Sequence, residues 1–330
     1  MAVRVRMAAS AVDGRRRWAH WMSALLVGAA WLLVAFPAAS VPLSVFVSVL
    51  PLQTFVERVG GERVRVHTMV LPGQSPATYD PSPKQIAALA DADLYVRVGV
   101  PFESAWMVRI RAANPGMPVV DLRDGLPLRP LEAHEHEHPA GAGQKAGGAS
   151  DAHAGGEAMD PHLWTSPRLV RRMAVAIRDA LSRLDPDGAA IYAANQAAFD
   201  EELVGLDADL TASLSHLDSR SFLVYHPAWG YFADAYGLTQ IPIEREGKEP
   251  GGRRLTALIE QARAAGARVI FVQPQFNRRA AEQVAHAIGG RVEPADPLAA
   301  DYATSLRRVA ALIVEANGHP AERPAAVKDQ

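Results

Sequence analysis

The strongest constraint on this chain is a rhythm of short apolar runs, each of strand length, separated by segments of helical periodicity. The first half carries "SVFVSV" (44–49), "RVRVHTMV" (63–70), "LYVRVGV" (94–100) and "MPVVDL" (117–122). The second carries "SFLVYHP" (221–227), "ARVIFVQP" (267–274) and "GRVEPADP" (290–297). Helical stretches fall between them, at 52–61, closed by Gly60 and Gly61, and near 255–265 and 278–288. Another opens at "SPKQ" (82–85), where Ser82 caps, Pro83 takes the first helical position and Gln85 reaches back. Alternation of this kind predicts parallel sheets covered by helices, because a parallel crossover needs a connection of helix length.

Between the two blocks, "SPRLVRRMAVAIRDALSRL" (166–184) aligns Leu169, Met173, Ile177 and Leu181 on one helix face. A second long helical pattern runs from Asp187 to Leu217, with Gly205 in its interior. The expected fold class is therefore α/β, with two similar lobes of parallel, helix-covered sheet joined by one long helix. The expected boundaries are an N-terminal lobe over 41–185, a connecting helix over 186–217 and a C-terminal lobe over 218–330.

The first 40 residues have another character. Arg4, Arg6 and Arg15 to Arg17 precede the apolar run "ALLVGAAWLLVAF" (24–36) and then the small residues Ala38, Ala39 and Ser40. This is the pattern of a secretory signal peptide, expected over 1–40. The uncharged stretch from Trp21 to Leu50 is also long enough for a retained anchor. Pro37 and the strand alternation of 44–49 favour cleavage, which removes five Arg and one Asp and moves the formal net charge from −2 to about −6. A mature chain of that charge without a basic stripe argues against a nucleic-acid partner. The chain has no cysteine, so it has neither a disulfide framework nor a thiolate metal site, and no N-terminal Cys to carry a lipid. A soluble, monomeric periplasmic protein is the expectation.

Of the 11 histidines, five lie between 134 and 162: His134, His136, His138, His153 and His162. The Gly-, Ala- and acid-rich segment 132–160 around them cannot build a core, and its composition predicts disorder. Its "HEHEH" (134–138) matches the zinc-protease pattern, which works only on a helix; Pro139 and Gly141 and the absence of apolar periodicity argue against one.

Three motifs stand after strands or ahead of helices: "MDPHLWTSP" (159–167), "VYHPAWGYFADAYGL" (224–238) and "EPADPLAADY" (293–302). Ligands of open parallel sheets bind beyond the carboxyl ends of the strands, which places His162, His226 and Asp296 at a cleft between lobes. Two imidazoles and a carboxylate suit Zn²⁺. Taken singly, His162 and Asp296 could cap helices and His226 could be a packed core histidine. Trp106, Trp164 and Trp229 could stack on an organic ligand, or pack the interface beside the site, as Trp more often does.

With "LPGQSPATYDPSPKQI", "VGVPFE", "MDPHLWTSP", "HPAWGYFADAYGL", "FVQPQF" and "DPLAADY", residues 44–316 resemble the metal-binding family of solute-binding proteins of ABC importers. The resemblance implies two lobes on a rigid connecting helix, Zn²⁺ held in the cleft between them by His162, His226 and Asp296, and delivery to a membrane permease without covalent chemistry. It also implies a His-rich loop before "DPH" that catches metal loosely, here through His134, His136, His138 and His153. Many relatives have His where this chain has Ala77, in "SPATYDP". A water, a loop histidine, Asp80, Glu103, Glu246 or Gln273 would then complete the shell. Losing one His makes the ligand set richer in oxygen, so Mn²⁺ or Fe²⁺ is the alternative cargo. A periplasmic zinc buffer and a metal-dependent hydrolase are the rival functions.

Overall fold

The computed structural model describes residues 41–131, 159–244 and 248–317. The "HEHEH" stretch and the expected disorder of 132–160 lie almost wholly outside them, as does the leader. The described residues from Pro42 to Asn317 belong to one compact unit.

The first sheet is built from β1 (Leu43–Val47), β2 (Val64–Thr68), β3 (Leu94–Arg97) and β4 (Val119–Asp121). Its spatial order is β2-β1-β3-β4 and every pair is parallel. The connections contain α1 (Leu50–Gly60), α2 (Pro83–Ala88) and α3 (Pro101–Ala113). Central β1 and β3 bury Val45, Phe46, Val47, Leu94, Tyr95 and Val96, as strands covered on both faces must. The capping box forms as the sequence predicts: Gln85 N donates to Ser82 Oγ, and Ser82 N donates to Gln85 Oε1. Gln85 Nε2 also donates to Met69 O, and Tyr79 Oη to Gln85 Oε1, which fastens the turn containing Ala77 to the end of β2.

The second sheet repeats the plan with β5 (Ser221–Val224), β6 (Thr239–Pro242), β7 (Val269–Val272) and β8 (Arg291–Pro294), in parallel order β6-β5-β7-β8. Around it lie α6 (Gly230–Tyr236), α7 (Gly252–Ala264), α8 (Arg279–Ile288) and α9 (Tyr302–Asn317). Strand β6 is not among the strands expected from the sequence.

Two helices join the sheets. In α4 (Pro167–Leu184), Val170, Met173, Ala174, Ile177 and Leu181 are buried at helical spacing, and Leu169 packs against the same core. The connecting helix α5 (Ala189–Ser213) is shorter at both ends than the 186–217 pattern. Asp185 caps the turn Pro186–Gly188 before it, and Leu214 ends it. Its 25 residues span about 38 Å at 1.5 Å each. Tyr192, Phe199, Leu203, Leu206 and Leu210 form its buried stripe, and it packs on α1, α4 and α9. Phe55 of α1 meets Tyr302 of α9 edge-on at 5.0 Å and Phe199 of α5 at 6.0 Å, so one apolar core runs from lobe to lobe. Among the described residues no helix is long and apolar enough to cross a membrane.

Candidate metal centre

In each sheet the first strand sits between its two successors, so the chain reverses its winding there, and a crevice opens beyond the strands' carboxyl ends. His226 comes two residues after β5 and Gln273 directly after β7, on either side of that point in the second sheet. From the first lobe, Ser75 to Ala77 follow β2, while Val100 and Pro101 follow β3. These residues, with Pro161, His162, Trp164, Gln275 and Phe276, line a cavity of about 90 Å³. Ala77, on the exposed turn after β2, is one of these lining residues.

The imidazoles of His162 and His226 meet in this cavity, with ring centroids 5.3 Å apart. Each has one nitrogen committed to a carboxylate. Asp160 Oδ1 lies 2.7 Å from His162 Nδ1 and also accepts from His162 N at 2.9 Å, so a tight turn aims the ring. Glu244 Oε1 lies 2.5 Å from His226 Nδ1. Both carboxylates are buried. A carboxylate on Nδ1 fixes the tautomer, so the ring presents the lone pair of Nε2, the arrangement typical of metal-ligating histidine.

The two supports differ in charge balance. Asp160 Oδ2 pairs with Arg129 at 3.3 Å, while its backbone carbonyl accepts from Tyr231 Oη. Burial alone would raise the pKa of Asp160, but His162 and Arg129 hold it below the ordinary carboxylate value. Burial drives His162 below its ordinary 6.5, against the pull of Asp160, and keeps it neutral. A Cβ at Gly230 would fall on the Arg129 guanidinium, which would have to move away from Asp160. Glu244 is different: its Oε2 is buried with no hydrogen-bond partner among the described residues. Phe276 stacks on His226 at 5.4 Å, and Trp164 meets His162 edge-on at 5.2 Å.

Asp296 is only half-buried and sits one residue outside the lining, which continues with Pro297 and Leu298. Its Oδ1 accepts from Leu298 N, and Trp164 Nε1 donates to Pro297 O, which ties its loop to that of His162. Among the described residues no group of three His, Cys, Asp or Glu side chains is arranged to hold a metal ion. The pair of imidazoles is what the structure brings together.

Of the remaining candidates, Glu103 is fully buried and accepts from Arg97 Nε, Val98 N and Gly99 N, so it braces the end of β3. Asp80 is exposed and accepts from Trp106 Nε1. Glu246 lies outside the described residues, as do His134, His136, His138 and His153. Gln273 lines the cavity; its Nε2 donates to His226 O, and its buried Oε1 has no partner among the described residues. Trp164 and Trp229 are buried and Trp106 is half-buried, so they pack rather than offer an exposed stacking platform. Sequence reasoning passed over Asp160, although it stands inside the "DPH" motif, and Glu244, which no motif marks.

Two like lobes on a shared helix, with a pair of carboxylate-backed imidazoles lining a cavity, are the architecture of the metal-binding solute-binding proteins. Residues 45–316 match the ZnuA family, described as zinc-uptake complex component A, periplasmic, and the chain belongs to that family. It is similar to the zinc-binding protein AdcA of Streptococcus pyogenes, 28% identical over 252 residues and 75% of this chain. It spans only about half, 49%, of that relative's length. The high-affinity zinc uptake system protein ZnuA of Bacillus subtilis is 27% identical over 286 residues, covering 83% of this chain and 87% of that protein. A crystal structure of ZnuA superposes with a TM-score of 0.76 at 40% identity, covering 84% of this chain and 99% of the other.

Proposed function

We propose that the chain captures Zn²⁺ outside the cytoplasm and delivers it to the permease of an ABC importer, acting as a monomer exported by the 1–40 leader. One observation carries this reading: two imidazoles, each buttressed through Nδ1 by a buried carboxylate, face each other across a cavity between the lobes. His162 and His226 are the nitrogen ligands. Asp296, whose Oδ2 is left over from capping Leu298, is the acidic ligand, and Gln273 Oε1 is the donor best placed for the position that Ala77 cannot fill. The histidines of 134–153 act as a loose collector ahead of this site.

The presence of Ala77 in the lining supports a second cargo, Mn²⁺ or Fe²⁺, because two imidazoles with a carboxylate and an amide oxygen suit those ions as well.

Competition titration against a zinc chelator tests the reading. His162→Ala and His226→Ala should each weaken the tight site by at least about 100-fold, since each removes a ligand from a short set. Unchanged affinity in both variants would sink the assignment. Elemental analysis of the protein purified from its own periplasm decides between zinc and the other ions.

A further inference from the structure

A second and much smaller cavity of about 10 Å³ shares Trp164 and Pro297 with the first. Its lining draws on the three loops that carry His162, His226 and Asp296: Trp164 and Thr165 from the first, Trp229 from the second, Pro297 and Ala299 from the third, with Tyr302 and Ser305 of α9. Two of these side chains are anomalous. Trp229 Nε1 and Tyr302 Oη are buried, and neither has a hydrogen-bond partner among the described residues. A buried N–H or O–H without a partner has given up its hydration and received nothing in return. Two such atoms on residues that line one small cavity point to a shared ligand.

The cavity is just large enough for one solvent molecule, since about 10–15 Å³ of space for a water-sized probe is the minimum that holds a water. We propose that this cavity is a binding site for a single structural water, accepting from Trp229 Nε1 and Tyr302 Oη. It has acceptors for its own protons. Thr165 Oγ1 already donates to His162 O, and Ser305 Oγ to Asp296 O, so each hydroxyl keeps lone pairs free. The water thus completes a polar node joining the backbones of His162 and Asp296 to the loop three residues beyond His226. Burial also drives the Tyr302 phenol well above its usual pKa, so it stays a hydroxyl. The node positions the ligand loops; it does not touch the metal.

The water itself is independent of the zinc reading, whereas its effect on affinity rests on that reading. A crystal structure of the mature protein at a resolution that orders internal solvent, metal-free and zinc-soaked, should show one water within hydrogen-bond distance of both atoms in each state. A dry cavity, or the two side chains paired elsewhere, overturns the proposal. Tyr302→Phe and Trp229→Phe form a double-mutant cycle read by denaturant unfolding. Either single change should shift the unfolding equilibrium at least about fivefold, and the pair little more than one alone. Additive losses would mean that the two atoms share nothing. Because Trp229→Phe also leaves a void, Tyr302→Phe carries the affinity test: zinc binding should weaken at least about threefold with the fold retained. Unchanged affinity with the water displaced removes the positioning role, and loss of binding in His162→Ala is read separately.

Discussion

His162 and His226 come from different lobes, yet their rings stand 5.3 Å apart at 73°, each held from behind by its own buried carboxylate. The separation between the lobes is thereby converted into a distance between two nitrogens, and the supports decide how well that distance is kept.

Removing a support without changing its shape should therefore weaken binding. Asp160→Asn and Glu244→Gln are each expected to reduce zinc affinity about 10–100-fold, the usual effect of losing a carboxylate behind a ligating histidine. Isothermal titration in the presence of a competing chelator measures it. Equal affinities for both variants and the parent would separate the carboxylates from the site.

The pH dependence follows from burial. His162 lies below its ordinary 6.5 because burial disfavours the imidazolium. Protons should thus compete with metal at His162 at a lower pH than at an ordinary histidine, and an NMR titration of its ring nitrogens in the metal-free protein would follow this. For stability the sign is the same. The neutral folded form contributes fully above the unfolded pKa of about 6.5, and that contribution is lost as pH falls toward the lowered folded value. A folded-state midpoint above 6.5 would contradict the assignment.

Ala77 offers a gain-of-function test. It lines the same cavity as both imidazoles, so Ala77→His should supply a nitrogen there and tighten zinc binding at least about tenfold in protein lacking residues 134–157. Selectivity over Mn²⁺ should rise with it, because imidazole favours zinc more than it favours manganese. Parallel Zn²⁺ and Mn²⁺ titrations provide the comparison, and no gain for zinc would exclude residue 77 from the shell.

Deleting 134–157 should leave the unfolding midpoint and the tight zinc equivalent unchanged while removing the weaker equivalents. The segment offers no apolar surface for a core, and Pro130 pairs with Met159 before and after it. Equilibrium dialysis at graded zinc concentrations counts both classes. Loss of the tight equivalent would place one of its histidines in the primary shell.

The lobes were legible because their strands are apolar runs bounded by recognisable caps and turns, as at Ser82 and Gly60. Strand β6 was not. "TQIP" has one β-branched residue at its exposed start, one in its middle and a proline at its end, and it becomes a strand by pairing with β5. Missing β6 meant missing Glu244, which this strand delivers to His226 from eighteen residues away. Glu103, one of the nearby acids offered to complete the shell, is instead held by Arg97 and two amides. Sequence separation carries no information about which carboxylate will meet which imidazole. That is settled by strand order.

The pairing of Pro130 with Met159 has an evolutionary consequence. It brings two described residues that flank the 132–158 segment side by side, so the fold on either side is joined without it. Closing a loop of twice the length costs only about 0.6 kcal/mol more. Descendants of this chain can therefore lengthen, shorten or rewrite that segment at little cost to the fold, while the pair of imidazoles is inherited intact.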